Sequence, residues 1–247
     1  MIRWDASSRR WAECADSRGI WQRCVMDPTL VFSENVMKRL KNIENKHICV
    51  LGSGDNEAVF ALAGLGAKVT SVDISEKQLQ IASDRARNLG LEITFVQNDV
   101  THLISLGDNR FDIIYTGGHV AVWVSDLRSY YAEAARILVQ KGLLIIDEYH
   151  PFRRIWKESE SELAVKSSYL ERGPFRYMLN DDVLYKSEGN FESFEFHWTI
   201  SDFLNAVIAT DCKILEVDEY GEYVGNWEGA PLKGLPENFL IIAEKCR

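Results

Sequence analysis

The chain has 247 residues, 46% apolar and 26% charged, with a formal net charge of −9. This is the composition of a soluble globular protein long enough for one large α/β domain with an appended segment. Its acidity works against non-specific nucleic-acid binding, which depends on neutralising phosphates, and the basic cluster "RRIWK" at 153–157 is too short to overturn that. No apolar run reaches the length of a membrane span and "MIRWDASSRR" lacks a signal-peptide core, while the five cysteines form no C-x-x-C pair. The expectation is a reduced, cytoplasmic protein without structural zinc, nucleic acid or membrane partner.

Residues 1–44 are polar and helical in pattern, set with Trp4, Trp11 and Trp21, and Asp27-Pro28 marks a helix start with Pro28 at its first position. "HICVLG" from His47 is a buried strand, "EAVFALAGL" a short helix packing Val59, Phe60, Leu62 and Ala63, and "KVTSVD" a second strand ending on Asp73. "SEKQLQIASDRARNLG" predicts a helix with a Ser75/Gln78 capping box, an apolar stripe of Leu79, Ala82, Ala86 and Leu89, and Gly90 at its end. "EITFVQND" and "FDIIYT" are the third and fourth strands. The helix "SDLRSYYAEAARIL" turns Leu127, Tyr131, Ala134 and Leu138 to one face, and "GLLIIDEYH" is the fifth strand.

Strand–helix repetition with near-continuous apolar strands predicts a doubly wound, mostly parallel sheet covered on both faces. After residue 150 the rhythm breaks: residues 151–196 are rich in aromatics and charges and read as an insertion over the sheet edge. "TISDFLNAVIAT" restores a helix. "KILEVDEY" and "NFLIIAEK" are two strands whose Gly/Pro-bearing link, 221–236, has no room for a helix, so they pair antiparallel. The expected organisation is an N-terminal helical lid (1–44), an α/β core (45–150), an acceptor-side cap (151–196) and the C-terminal part of the core (197–247).

Ligands of such sheets bind outside the carboxyl ends of the strands. Gly52 and Gly54 follow the first strand, Asp73 ends the second, Asp99 the third, and Thr116-Gly117-Gly118-His119 the fourth. "GSGDNE" lacks the third glycine of the dinucleotide fingerprint, and Glu57 stands in its place. Asp55 and Glu57 would repel a pyrophosphate at that helix start, which favours a cofactor without phosphates, S-adenosylmethionine (SAM), over NAD.

The order of "VLGSGDN", "VTSVDIS", "VQNDV", "FDIIYTGG" and "AARILVQKGLLIIDEYHPF" resembles the class I SAM-dependent methyltransferase family, strongly over roughly residues 45–150. The resemblance implies a Rossmann-like seven-stranded sheet with its last strand antiparallel. It further implies Gly52, Ser53 and Gly54 against the methionine part of SAM, Asp73 on the ribose, Ile74 flanking the adenine, and Asp99 and Val100 at the adenine edge. Two positions depart from the family: Val50 stands where an acid is usual, and Asn56 where a glycine is. The SAM amino group would then fall to Asp55 or to a backbone carbonyl near Thr116 and Gly117.

Methyl transfer needs alignment, exclusion of water and, for a hydroxyl or protonated amine, a base. His119 and His150 lie at the ends of strands four and five and are the candidate bases. Either can instead be structural: His119 as a loop cap, His150 as the lead into the insertion. Tyr149, Arg153, Trp11 and Trp227 are candidates for contacting the acceptor, although a solvated Arg153/Arg154 pair and core-packed tryptophans are competing readings. The reading is a SAM-dependent methyltransferase acting on O or N of a small molecule, as a monomer or homodimer and without a metal. The alternatives are a nicotinamide-dependent oxidoreductase or a non-catalytic SAM-fold binding module.

Overall fold

The strand–helix alternation is realised as a seven-stranded sheet in a computed structural model describing residues 19–54, 56–157, 159, 161–178, 192–222, 226–227 and 230–246. Helices α1 (Ile20–Met26) and α2 (Glu34–Arg39) lead into β1 (His47–Leu51), α3 (Glu57–Gly64), β2 (Lys68–Asp73), α4 (Glu76–Leu89) and β3 (Ile93–Gln97). Next come β4 (Phe111–Gly117), α5 (Leu127–Ile137) and β5 (Leu138–Tyr149). A two-stranded ladder of β6 (Phe175–Met178) and β7 (Glu192–Glu195) precedes α6 (Ile200–Ile208) and β8 (Cys212–Glu222). The small pair β9 (Asn226–Trp227) and β10 (Ala230–Pro231) then leads to β11 (Pro236–Lys245).

The sheet order is β3-β2-β1-β4-β5-β11-β8. All neighbours run parallel up to β5, whereas β11 is antiparallel to both β5 and β8. The last strand of the chain therefore slots, reversed, between β5 and β8, as the short link after β8 requires. The strand order turns around between β1 and β4, which makes their carboxyl ends the switch point where ligands bind.

Period-two alternation sorts the strand side chains between two cores. Ile114, Ile146, Phe239 and Ile241 pack with Tyr130, Tyr131 and Phe203 of α5 and α6. Ile113, Tyr115, Ile145 and Leu240 pack on the opposite face with Cys24, Val36, Phe60 and Ala82 from α1 to α4. The stripe expected on α4 is buried at Leu79, Ala82 and Ala86, and Gly90 ends that helix at φ 67°.

One cap differs from expectation. Ser75 Oγ accepts the Gln78 N–H at 3.3 Å, but the Ser75 N–H donates to Asp73 Oδ1 at 2.8 Å instead of to Gln78. Asp73 takes that donor because its carboxylate is two residues away, and the Gln78 amide is left lying against Gly54. The complete capping box is at α6, between Thr199 and Asp202. Asn56 caps α3, accepting the Ala58 N–H at 2.7 Å, and Val50 is a core residue.

Both ends of the 151–196 stretch return to the loop after β4. The Pro151–Arg154 turn folds the chain back there: the Phe196 N–H donates to Val122 O at 2.8 Å, and Arg154 meets Glu195 at 2.5 Å. Among the described residues no helix is long and apolar enough to cross a membrane.

Candidate functional site

After β1 the backbone turns through Gly52 at φ 65° and Gly54 at φ 48°, the left-handed region that glycine enters without strain. A Cβ on Gly52 would overlap Val120, and one on Gly54 would overlap Gln78 Oε1. Between them Ser53 turns inward, its Oγ 2.6 Å from Ser71 Oγ, its N–H donating to Val72 O at 3.0 Å and its carbonyl accepting from the Asn56 N–H at 2.7 Å, so it locks the turn from within. Asp73 closes the turn from β2: Oδ2 accepts the Gly54 N–H at 2.7 Å while Oδ1 accepts that of Ser75. A carboxylate at this strand end is the kind of acceptor that a ribose diol requires. Ile74 follows, half-buried. Asp99 is exposed and accepts from Thr101 N and Oγ1 at 2.8 and 2.7 Å, and Val100 packs against the core.

The Thr116 hydroxyl is withdrawn into the core against Tyr130 OH, so Thr116 can meet a cofactor only through its backbone. Gly117 abuts the Asp147 carbonyl, which also accepts the Gly118 N–H at 3.1 Å. His119 then sits at φ 82°, a conformation that costs a non-glycine residue about 1–3 kcal/mol. Glu148 holds it there by accepting the N–H groups of His119 and Ala121 at 2.9 and 3.1 Å. Burial lifts the Glu148 carboxyl to about 7, against the lowering effect of those donors.

The His119 ring accepts from Arg154 at Nε2 and stands edge-on to Tyr149 at 5.1 Å. Burial, with the Arg154 guanidinium beside it, holds the imidazole well below its ordinary value. It is therefore neutral, with its Nε2 lone pair already engaged. His150 is buried, its Nε2 lies 2.6 Å from Glu219 Oε1, and its ring packs 4.1 Å from Phe152. Burial lowers its pKa too, although Glu219 opposes that.

The two arginines are not a solvated pair. Arg153 is 3% exposed with its guanidinium 4.3 Å over the Tyr149 ring, and Arg154 bridges His119 and Glu195. Both follow the Pro151 turn, which folds them back over the strand ends instead of releasing them to solvent. Trp21 packs near Phe60 and under Arg85. Trp11 and Asp55 lie outside the described residues, as does the side chain of Trp227.

Sequence reasoning missed a cluster on the other side of β5. Asp147 accepts from Tyr220 OH at Oδ1 and from Tyr115 OH at Oδ2, the latter at 3.5 Å. Burial raises its carboxyl to about 6, while the two phenols pull it down. Alternation along "IIDEY" was the available signal: it turns Asp147 and Tyr149 to one face and Glu148 to the other.

These residues fit SAM. The turn offers no cation among its described residues, and Glu57 opens α3 where a pyrophosphate would dock, while the Asp73 oxygens suit a ribose. Residues 50–146 match the family model described as a methyltransferase domain. The chain is 31% identical over 103 residues to a ubiquinone biosynthesis O-methyltransferase of Caulobacter sp. (strain K31), covering 42% of this chain and 40% of that protein. It is 30% identical over 169 residues to YbaJ, an uncharacterized methyltransferase of Bacillus subtilis, covering 67% of this chain and 65% of the relative. The chain thus spans under two thirds of the length of either relative. A SAM-dependent methyltransferase structure from Mesorhizobium loti shares the fold, with TM-score 0.63 and 21% identity over 85% of this chain and 96% of that one. Residues 50–146 thus carry a methyltransferase domain match, set on a strand order and a glycine turn whose fold is shared with SAM-dependent methyltransferase structures.

Proposed function

We propose that the protein transfers a methyl group from SAM to an oxygen or nitrogen of a small molecule. The observation that carries this reading is the closed turn of Gly52, Gly54 and Asp73 at the strand ends, where His119 and Tyr149 pack together and Phe196 returns to the loop after β4. When bound, SAM supplies an activated methyl on a sulfonium; the chain supplies the grip, the alignment and a dry environment. Gly52 and Gly54 let the backbone approach the methionine part, Asp73 takes the ribose hydroxyls, and Ile74, Asp99 and Val100 border the adenine. Arg153 and Tyr149 border the acceptor, and His119 and His150 shape its surroundings. The net charge of −9 supports a small acceptor over a nucleic-acid strand, and one relative is itself named an O-methyltransferase. Calorimetric titration of the full chain with SAM and with NAD(H) tests the cofactor: micromolar binding of SAM alone is expected. Binding of NAD(H) alone, or of neither, overturns the reading.

A further inference from the structure

Resting on that reading, we propose that Asp147, flanked by Tyr115 and Tyr220, is the base that receives the proton of the acceptor. The acceptor is then one whose nucleophile carries a proton, a hydroxyl or an amine.

The strand register carries the argument. Val50 of β1 lies opposite Tyr115 of β4, and Gly117 lies opposite Asp147 of β5. Val50, Tyr115 and Ile145 thus form one row across β1, β4 and β5, and Gly52, Gly117 and Asp147 each follow it by two residues, with the backbone turning at Gly52. Two inter-strand steps put Asp147 about 10 Å from the cofactor turn, a span that the methionine arm and an acceptor atom can bridge. The residue between them, Gly117, contributes no side chain, and the Tyr115 hydroxyl comes within 3.2 Å of where its Cβ would stand. Tyr115, Asp147 and Tyr149 share one face of the sheet, and Tyr220 reaches the same carboxylate from β8. The charged or titratable groups around Asp147 are thus Tyr115 from β4, Tyr220 from β8, and Tyr149 and Glu148 from its own strand, with Arg153 over Tyr149. Each phenol occupies one lone pair of the carboxylate and orients it, leaving capacity for a further donor.

In the transfer, the acceptor oxygen or nitrogen bonds to the methyl carbon as the bond from that carbon to sulfur breaks, and the electron pair stays on sulfur. The proton of the acceptor passes to the Asp147 carboxylate. A carboxyl lifted to about 6 is ionised at neutral pH yet basic enough to share that proton.

The test measures release of S-adenosylhomocysteine from SAM with a panel of small phenols and amines, from pH 5 to 9, for the wild type, Asp147→Asn and Tyr220→Phe. Calorimetric SAM affinity and carboxyl-carbon NMR of labelled aspartate accompany it. The wild-type rate should rise through an apparent pKa near that of Asp147 in the NMR titration. Asp147→Asn should lose about 100-fold or more in kcat with SAM affinity within about twofold. Tyr220→Phe, which removes a stabilising donor, should move both the rate limb and the NMR titration to higher pH. Retained kcat in Asp147→Asn, or a limb unmoved in Tyr220→Phe, overturns the assignment while the methyltransferase reading stands. SAM binding with no panel member methylated by the wild type overturns both.

Discussion

Asp73→Asn is a stringent test of how the cofactor turn is held. The carboxylate accepts one backbone N–H on each oxygen, from Gly54 at 2.7 Å and Ser75 at 2.8 Å. An amide keeps one acceptor oxygen and presents an NH₂ group to the other N–H, so in either orientation a charge-assisted bond becomes a donor–donor contact. Losing such a bond costs about 1.5–3 kcal/mol. If the NH₂ faces Gly54, the glycine turn opens; if it faces Ser75, the start of α4 loosens. A loss of about 2 kcal/mol in a chain of this size lowers Tm by about 4–8 °C. SAM affinity should fall further, by roughly 10- to 100-fold, because the oxygen lost is also one of the two that meet the ribose. Calorimetry with SAM and thermal unfolding with and without cofactor measure the two effects separately. A folded Asp73→Asn protein with unchanged SAM affinity would refute the assignment of Asp73 as both turn lock and ribose acceptor.

The buried carboxyls make stability depend on pH with a definite sign. Glu148 and Asp147 are raised to about 7 and about 6 by burial, so the folded chain binds protons that the unfolded chain, titrating near 4, releases. Their contribution is therefore fully present below about pH 4 and is lost as pH rises to about 7. The Glu148 part is roughly 3 kcal/mol. Urea midpoints from pH 4.5 to 8 should fall with pH in the wild type and flatten in Glu148→Gln, and an equal slope in both would count against the burial argument. His150→Ala removes a ring packed on Phe152 and bonded to Glu219. It should leave SAM affinity within about twofold and lower stability by about 1–3 kcal/mol, while turnover of the native acceptor falls. Full turnover would make His150 a structural residue only.

The glycine turn and its facing acid were legible because they are local. Gly52, Gly54 and Asp73 lie within one strand–turn–helix–strand unit, and a glycine turn facing an acid at the next strand end is set by short-range geometry. The strands showed through their continuous apolar runs, and α4 through its stripe and its Gly90 terminus. The acceptor half was only partly legible. His119 and His150 stood out by residue type, but type does not show that one accepts from Arg154 and the other faces Glu219 across two strands. Neither pairing follows from periodicity, since each joins segments whose separation in the chain carries no fixed relation in space.

Taken alone, the sequence determined the order of strands and helices, the reversed final strand and the glycine turn after β1, because propensity, capping and alternation act over a few residues. The tertiary structure decided what lies beside what at the far end of β5. Asp147 meets Tyr115 because β4 and β5 pair in one register, and it meets Tyr220 because β11 inserts between β5 and β8 and brings the β8 end alongside. Glu148, one residue later, points to the opposite face and fixes the loop after β4. A shift of one residue in either register would exchange those two carboxylates between the faces of the sheet, and no local signal in "IIDEYH" specifies it.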